Sequence, residues 1–389
     1  MERTTTAGDL LQLIRAGQVV TRADLQRHTG LSRTAITSRL AALADLGLLT
    51  EAESTATGGR PAGRLRFSPG AGLVLAGAIG RSRIQLAVCD LDGTALVSSS
   101  HDHEVSAGAD AAMQFVGDEF AALLAQLSPG GQDQGRIWGV GLSIPGVVDI
   151  DKGASVDSPV LAGWDGIPLA PYLQHVTSAP VVVGSDCQAL AVSERDGHLR
   201  EVRDLLAVKA STGFGLGVVV DGRLVRGHRG GAGEIGHVKV DAAAGLPCRC
   251  GDSGCVEAIA AGWALVQQLR ARGDDVAHVR EVVARAQTGD AEARALLRES
   301  ARRLGEVLAD AVTLLNPEAV VVAGDMGAAF DVYAAGLRES LYSRASALAT
   351  RDLKLLPATH GERAGLVGCA RLALDQVLAP AAIDALLTR

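Results

Sequence analysis

Nothing in this 389-residue chain is apolar for long enough to span a bilayer, and its start lacks the charged-then-apolar pattern of a secretory leader. No membrane partner is therefore expected, and the expected location is the cytoplasm. Cysteine is sparse at 6 residues, with three of them crowded between 248 and 255. That usage suits metal binding in a reducing compartment better than a disulfide framework. Cys89, Cys187 and Cys369 stand apart and read as small core residues. Lysine is scarce too, so arginine carries most of the positive charge. What is abundant is apolar: 48% hydrophobic residues suffice for large cores, and the length suggests two to three domains.

The charge is unevenly spread. Residues 1–69 hold 9 arginines against 6 acids, a balance of +3. The remainder holds 28 basic and 38 acidic residues, a balance of −10. A basic head on an acidic body is the pattern of a DNA-binding module joined to a small-molecule domain.

The head reads as three short helices and a wing. Asp9–Arg15 forms an amphipathic helix closed by Ala16-Gly17. Thr21 caps a second helix over Arg22–His28, with Asp24 at its third position, and Gly30 makes the turn. Ser32 caps a third helix whose Ile36, Leu40, Leu43 and Leu46 recur at helical spacing. Its other face offers Arg33, Thr34, Thr37, Ser38 and Arg39, short hydroxyls and arginines suited to base edges and phosphates. Together with Arg22 and Ser32 these are the expected contacts to double-stranded operator DNA. A two-stranded wing should follow, from Leu48–Glu51 to Arg64–Phe67, with Arg60 on its Gly-Gly-Arg-Pro tip placed to enter a minor groove. A small helical interaction module with a solvated basic loop is the alternative.

From Gly72 the pattern changes to strands. Leu73–Ala76, Ile84–Val88 and Ala95–Val97 form a three-strand meander, and a related order returns at Leu205–Val208, Val218–Val220 and Arg223–Val225. Two such meanders, each followed by helices and further strands, imply two similar α/β lobes with a ligand cleft between them. Asp186 closes the apolar run Val181–Ser185 where a helix begins, an end that points into clefts in α/β folds. A plain helix N-cap is an equally good reading of it. Leu296, Leu297, Leu304, Leu308, Ala311, Val312 and Leu315 give one long apolar helix face, stopped by Asn316-Pro317.

The densest chemistry lies at Gly233-Glu234-Ile235-Gly236-His237, followed by Cys248, Cys250 and Cys255 in C-x-C-x4-C spacing. One histidine and three cysteines supply the four ligands of a closed tetrahedral zinc site, so Zn2+ is the expected cofactor. Three unrelated cysteines near a surface histidine is the alternative. Glu234 and Glu257 flank the ligands without a role in such a site, which suggests that the metal shapes a pocket.

These pieces together resemble the ROK family of repressors, open reading frames and sugar kinases, in its transcriptional-regulator branch. The similarity runs over nearly the whole chain. It rests on Ser143-Ile144-Pro145-Gly146, Gly163-Trp164, Ser185-Asp186, Ser211–Gly217 and the Gly233–Glu257 block. It implies a winged helix-turn-helix followed by a two-lobed, actin-like (ribonuclease-H-like) α/β sugar-kinase fold. The implied units are 1–69 for the head, 72–190 with a C-terminal helix 368–389 for one lobe, and 191–367 for the other.

The resemblance also implies that Ser185, Asp186, Glu234, His237 and Glu257 line a sugar site. His237, Cys248, Cys250 and Cys255 would hold zinc. In the family's kinases the residue matching Asp186 is the general base, and an Asp-X-Gly-Gly-Thr turn admits ATP. Here that turn is Ala78-Ile79-Gly80-Arg81-Ser82, Ser211 replaces a glycine, and Asp325 adds a negative charge. Phosphoryl transfer depends on positioning and charge neutralisation, so these changes imply a defunct nucleotide site with no catalytic residue and Asp186 as a vestigial base. The expectation is a homodimeric or homotetrameric transcriptional regulator, a repressor of carbohydrate genes, answering a sugar or sugar phosphate. An active ATP-dependent sugar kinase and a regulator controlled by docking a transport protein are the alternatives.

Overall fold

The computed structural model describes residues 5–52, 63–103, 108–127, 135–156, 161, 163–197 and 199–388. The N-terminal head contains α1 (Ala7–Arg15), α2 (Arg22–Thr29) and α3 (Arg33–Asp45). Local chemistry sets all three starts. Thr6 with Asp9 and Thr21 with Asp24 form reciprocal capping boxes, and Ser32 Oγ accepts from Ala35 N–H. Each cap satisfies helix-end donors that would otherwise lack partners, worth about 1 kcal/mol apiece. Leu10, Leu11, Leu25, Ile36, Leu43 and Leu48 fill the interior. β1 (Leu49–Ala52) and β2 (Arg64–Phe67) pair antiparallel, Leu49 opposite Phe67, as the two arms of the wing. Arg60 lies outside the described residues.

The body holds two five-stranded sheets. The first is built from β3 (Leu73–Ile79), β4 (Arg83–Asp90), β5 (Ala95–Asp102), β6 (Ile137–Ile144) and, after the small hairpin β7 (Val147–Asp149) and β8 (Ala154–Val156), β9 (Val181–Ser185). The second contains β10 (Leu205–Ala210), β11 (Phe214–Val220), β12 (Arg223–Val225), β13 (Ala319–Ala323) and β14 (Lys354–Pro357). Their orders are β5-β4-β3-β6-β9 and β12-β11-β10-β13-β14. In each, the first strand of the meander pairs in parallel with one further strand, which pairs in parallel with a last one, so the duplication read from the sequence holds strand for strand.

Helices cover both sheets. α4 (Ala109–Leu127) buries Val116, Phe120 and Leu123 against the first. The second carries α6 (Glu257–Ala260), α7 (Gly262–Ala271), α8 (Val279–Gln287), α9 (Ala291–Leu315), α10 (Phe330–Arg344) and α11 (Ala347–Thr350). α9 buries Leu297, Leu304, Leu308 and Val312, but Leu315 departs from the expected stripe and is exposed. Its last turn runs past the packed face before Asn316 ends the helix in left-handed geometry at φ 45.

α5 (Asp186–Ser193) touches both β9 and β11, and so lies between the lobes. α12 (Ala364–Val377) returns to pack on β3, β6 and α5. The crossing with α5 is close enough that a Cβ on Gly368 would lie 1.9 Å from Ala189 O. The C-terminal segment is not one helix over 368–389: α12 stops at Val377, and Pro380 opens α13 (Pro380–Leu387) at a bend of 51°. α13 packs on α1 of the head, where Asp384 Oδ1 accepts from Gly8 N–H at 2.9 Å and Leu378 O accepts from Gln12 Nε2. One apolar cluster runs from Leu10, Leu11 and Ile14 through Ile383 and Leu378 to Cys369. Among the described residues no single helix is long and apolar enough to cross a membrane.

Candidate functional site

The four predicted metal ligands converge. His237 follows β12 in a short 3-10 turn, and the cysteine loop folds back on it through a Lys239–Cys255 bridge and Val256 N–H to Val238 O. The ligand atoms of His237, Cys248, Cys250 and Cys255 all lie within 4.8 Å of one another. Cys250 Sγ is 3.7 Å from Cys255 Sγ, and Cys248 Sγ is 3.7 Å from His237 Nδ1. A tetrahedron with sulfur arms of about 2.3 Å has edges of about 3.8 Å, so the set fits a tetrahedral metal. Three thiolates around a divalent ion leave one net negative charge. Lys239, which the sequence reading passed over, donates to Cys255 Sγ at 3.2 Å while ion-pairing with Asp252 Oδ2 at 2.6 Å.

The cluster sets the adjoining pocket. His237 turns Nδ1 to the cysteines and leaves Nε2 3.7 Å from Glu234 Oε2. Glu257, two residues after Cys255, begins α6; its Oε1 accepts from Phe214 N–H at 2.6 Å and its Oε2 from Trp263 Nε1 at 3.3 Å. Asp186 enters from the start of α5. These three carboxylates, with Ser185 and His237, line one cavity of about 200 Å³ between the lobes. Burial lifts the Glu234 carboxyl above its ordinary range, His237 opposes that, and Asp186 and Glu257 add to it. A cavity of this size, rich in directional acceptors, is matched to a small polyhydroxyl molecule.

Three details depart from the sequence reading. Ser185, not Asp186, is the helix N-cap: its Oγ accepts from Gln188 N–H while Gln188 Oε1 accepts from Ser185 N–H. Cys187 is no inert core residue, since it is half-buried and its thiol donates to Asp186 Oδ1 at 3.2 Å. Lys209, on β10, ion-pairs with Asp186 Oδ2. Its signal in the sequence was a single charge within the apolar run Leu205–Ala210. Both Asp186 oxygens therefore have protein partners.

Burial is the largest single influence on the Lys209 ammonium and works against it, but the charge and hydrogen bond of Asp186, with Cys187 and Asp325, together hold the pKa above the ordinary 10.5. A raised lysine value stabilises the fold fully below the unfolded pKa, and the gain is lost as pH rises through the folded one. Lys209→Met should therefore flatten the alkaline limb of a stability-versus-pH curve above about pH 10.5. An unchanged limb would mean that the pair contributes nothing to folding.

A second, larger cavity of about 580 Å³ opens from Asp186 toward the β3–β4 turn and the loop after β13. Ala78, Gly80 and Arg81 line one side, Ser211–Gly213 and Gly324-Asp325 the other. Ser211 Oγ donates to Asp325 Oδ2, tying the two loops together across the space where phosphate would need backbone donors. Arg81 carries no ion pair among the described residues, and burial pulls its guanidinium below the usual range despite the nearby Glu257.

On the head, Ser32, Arg33, Thr34, Thr37 and Ser38 are exposed along the first turns of α3, as a reading helix requires. Arg64 and Arg66 on the wing are exposed as well. Arg39 is half-buried and donates back to Ala35 O at 3.2 Å, and Arg22 is held in an ion pair by Glu51 of β1.

Comparison with known proteins places this geometry. Residues 75–376 match the ROK family. A xylose repressor of Bacillus spizizenii is 26% identical over 371 residues, 95% of this chain and 94% of that protein. An N-acetylmannosamine kinase of Escherichia coli is 31% identical, covering 77% of this chain and 98% of the kinase. A crystal structure of a ROK family transcriptional regulator, a homologue of the E. coli MLC protein, superposes with a TM-score of 0.82 at 26% identity, covering 98% of each chain. The kinase is thus used up almost completely while about a quarter of this chain finds no counterpart in it, whereas the repressor and the regulator match nearly end to end.

Proposed function

This chain belongs to the ROK family, and from that premise we propose that it is a sugar-responsive, DNA-binding transcriptional repressor of carbohydrate genes rather than a kinase. One observation carries the choice: a three-carboxylate pocket is present, while the adjoining larger cavity lacks an acid at Ala78, carries Arg81 on the β3–β4 turn and has Ser211 tied to Asp325 across its far side. The end-to-end likeness to the xylose repressors and to the solved regulator supports it. Ser185, Asp186, Glu234, His237 and Glu257 bind the hydroxyls of a monosaccharide effector. His237, Cys248, Cys250 and Cys255 hold Zn2+, which when bound keeps the histidine ring and the following Glu257 in place. Arg22, Ser32, Arg33, Thr34, Thr37, Ser38, Arg39 and Arg60 face operator DNA. The protein acts in the cytoplasm as a homodimer or higher homo-oligomer whose paired heads read two half-sites. The head at 1–69 and the lobes at 72–190 with 368–389 and at 191–367 are its working units.

Thermal unfolding across monosaccharides, with and without Mg-ATP, tests this. A ligand at about a hundred times its dissociation constant adds about 2.7 kcal/mol. A sugar that stabilises alone, with no further effect of ATP, is the expected result; a shift that needs ATP, or turnover of the sugar, would establish the kinase instead. Glu257→Gln keeps an acceptor for Phe214 N–H but replaces the charge, and should abolish sugar response in an operator-binding assay. Arg33→Ala should weaken operator binding and lower its log–log salt slope by about 1, the mark of one lost phosphate contact. A flat result with Arg33→Ala and Arg39→Ala alike would remove α3 as the reading helix.

A further inference from the structure

Strand alternation sets one lysine against the wall of the carboxylate pocket. Along β10, Leu206, Val208 and Ala210 join the core of the second lobe, while Leu205 and Ala207 pack with Leu190 and Ala191 of α5. Lys209 continues that second face and so reaches the start of α5. Its register partners are Gly215 on β11 and Ala323 on β13, both small, which leaves room for the long side chain. Gly215 also makes room for the neighbouring thiol, since a Cβ there would lie 2.2 Å from Cys187 Sγ.

Lys209 lines both the carboxylate pocket and the larger cavity beyond it. Its ammonium donates to Asp186 Oδ2, while the Cys187 thiol donates to Asp186 Oδ1 at 3.2 Å. Asp325, the other carboxylate that acts on the lysine, is taken by Ser211 Oγ. The Lys209 and Asp186 side chains keep 24% and 18% of their accessible surface, so the pair is largely desolvated yet still faces the cavity. A free carboxylate swings about its terminal torsion, which is soft. Pinned at both oxygens it has one orientation, and about two of its roughly four acceptor sites remain for a guest.

Resting on the sugar-sensor reading, we propose that Lys209 is a specificity-determining residue of the effector pocket: by holding Asp186, with Cys187 on the other oxygen, it makes that carboxylate the fixed reader of one hydroxyl position on a monosaccharide. Lys209 acts through Asp186 and is thus a positioning residue. The carboxylates then divide the work. Glu257 is aimed from within its own lobe, by Phe214 N–H and Trp263 Nε1, whereas Asp186 opens the helix between the lobes and is aimed by a strand of the second. A sugar that lacks the matching hydroxyl, or turns it the other way, leaves an oriented acceptor unpaired inside the cleft, and that penalty is what discriminates.

The test is titration calorimetry on the full chain with aldopentoses, aldohexoses and N-acetylhexosamines, each beside its monodeoxy analogues and epimers. For the parent sugar that binds, wild-type protein should hold one deoxy analogue on the order of tenfold to a hundredfold more weakly. Lys209→Met should bring that one ratio close to unity while the other analogues keep theirs, and Asp186→Asn should do the same. The double variant should be no worse than either single one, as expected of two residues acting as a unit. Lys209→Gln, shorter and uncharged, is read where Lys209→Met does not fold. A ratio that survives these changes, with parent and analogue weakened alike, would leave Lys209 only a fold-stabilising role. Tighter binding of the parent would make the lysine a competitor of the sugar, and additive losses would uncouple it from Asp186. Each of these, or a wild type that treats every deoxy analogue like its parent, overturns the proposal and leaves the sensor standing. Binding of no sugar by the wild type would overturn the sensor reading as well.

Discussion

Removing the metal from the His237, Cys248, Cys250 and Cys255 cluster should cost sugar affinity at least about tenfold and lower the apparent Tm by several degrees, while operator binding by the head survives. The cause is short covalent leverage. Glu257 is two residues beyond Cys255, and Glu234 is three before His237, so the cluster fixes the backbone that aims both carboxylates. Three sulfurs and a ring nitrogen within 4.8 Å of one another repel as their thiols ionise unless a cation such as the proposed Zn2+ sits among them. Glu257 then also lets go of Phe214 N–H and Trp263 Nε1, which join the β10–β11 loop to α7. Cys250→Ser reproduces the loss without a chelator. Calorimetry for the sugar and anisotropy on operator DNA, run on the same samples, check the split. Unchanged sugar affinity in metal-free protein would mean that the cluster does not position the pocket.

The second large effect belongs to the seam between head and body. A Cβ on Gly8 would lie 2.3 Å from Pro380 O and 2.4 Å from Pro380 Cα, distances that real side chains do not occupy. Gly8→Val must therefore push α1 off α13, at a cost of about 1–3 kcal/mol. The capping boxes of α1 and α2 and the cap of α3 are internal to the head, so the variant should still bind operator DNA. What should fail is the response: the change in operator affinity on adding the sugar should fall by about tenfold or vanish, since coupling between sites amounts to about 1–3 kcal/mol. The physical route runs from Asp186 at the start of α5, across the close crossing with α12, over the bend into α13 and so to α1. Ile383→Ala, which empties a fully buried position at the same seam, should act in the same direction. A full sugar response in both variants would show that the signal bypasses α13.

What the sequence made legible was local. Thr21 with Asp24, and Ser32 before an apolar stripe, declare helix starts because a cap and its donors lie within three residues. The paired sheets were legible because the meander repeats, and the metal cluster because its cysteines share one loop. The unread features depend on partners far along the chain. Lys209 meets Asp186 across 23 residues, and nothing near either predicts which charge faces it. Asp186 as its own helix cap was a fair alternative that Ser185 displaced by one residue, a distinction that only backbone geometry makes. Leu315 looked like the end of a buried stripe because periodicity cannot see where the neighbouring layer stops. Arg81 was legible as an obstacle to phosphate access at one turn; its place beside Arg249 and Thr212 required the folded chain.

The hydrogen bond from Gly8 to Asp384 joins residues 376 positions apart. The capping boxes of the head close within three residues, whereas the Gln12–Leu378 hydrogen bond and the packing of Leu10, Leu11 and Ile14 on Leu378 and Ile383 wait for the end of the chain, so during synthesis the helices of the head can form before α1 is clamped. If α13 carries the signal, a chain lacking residues 380–387 should still bind DNA but lose its answer to sugar. Trimming at that end would then leave a repressor fixed in one state whatever sugar is present, so a cell carrying such fragments would read its target genes the same way on every diet.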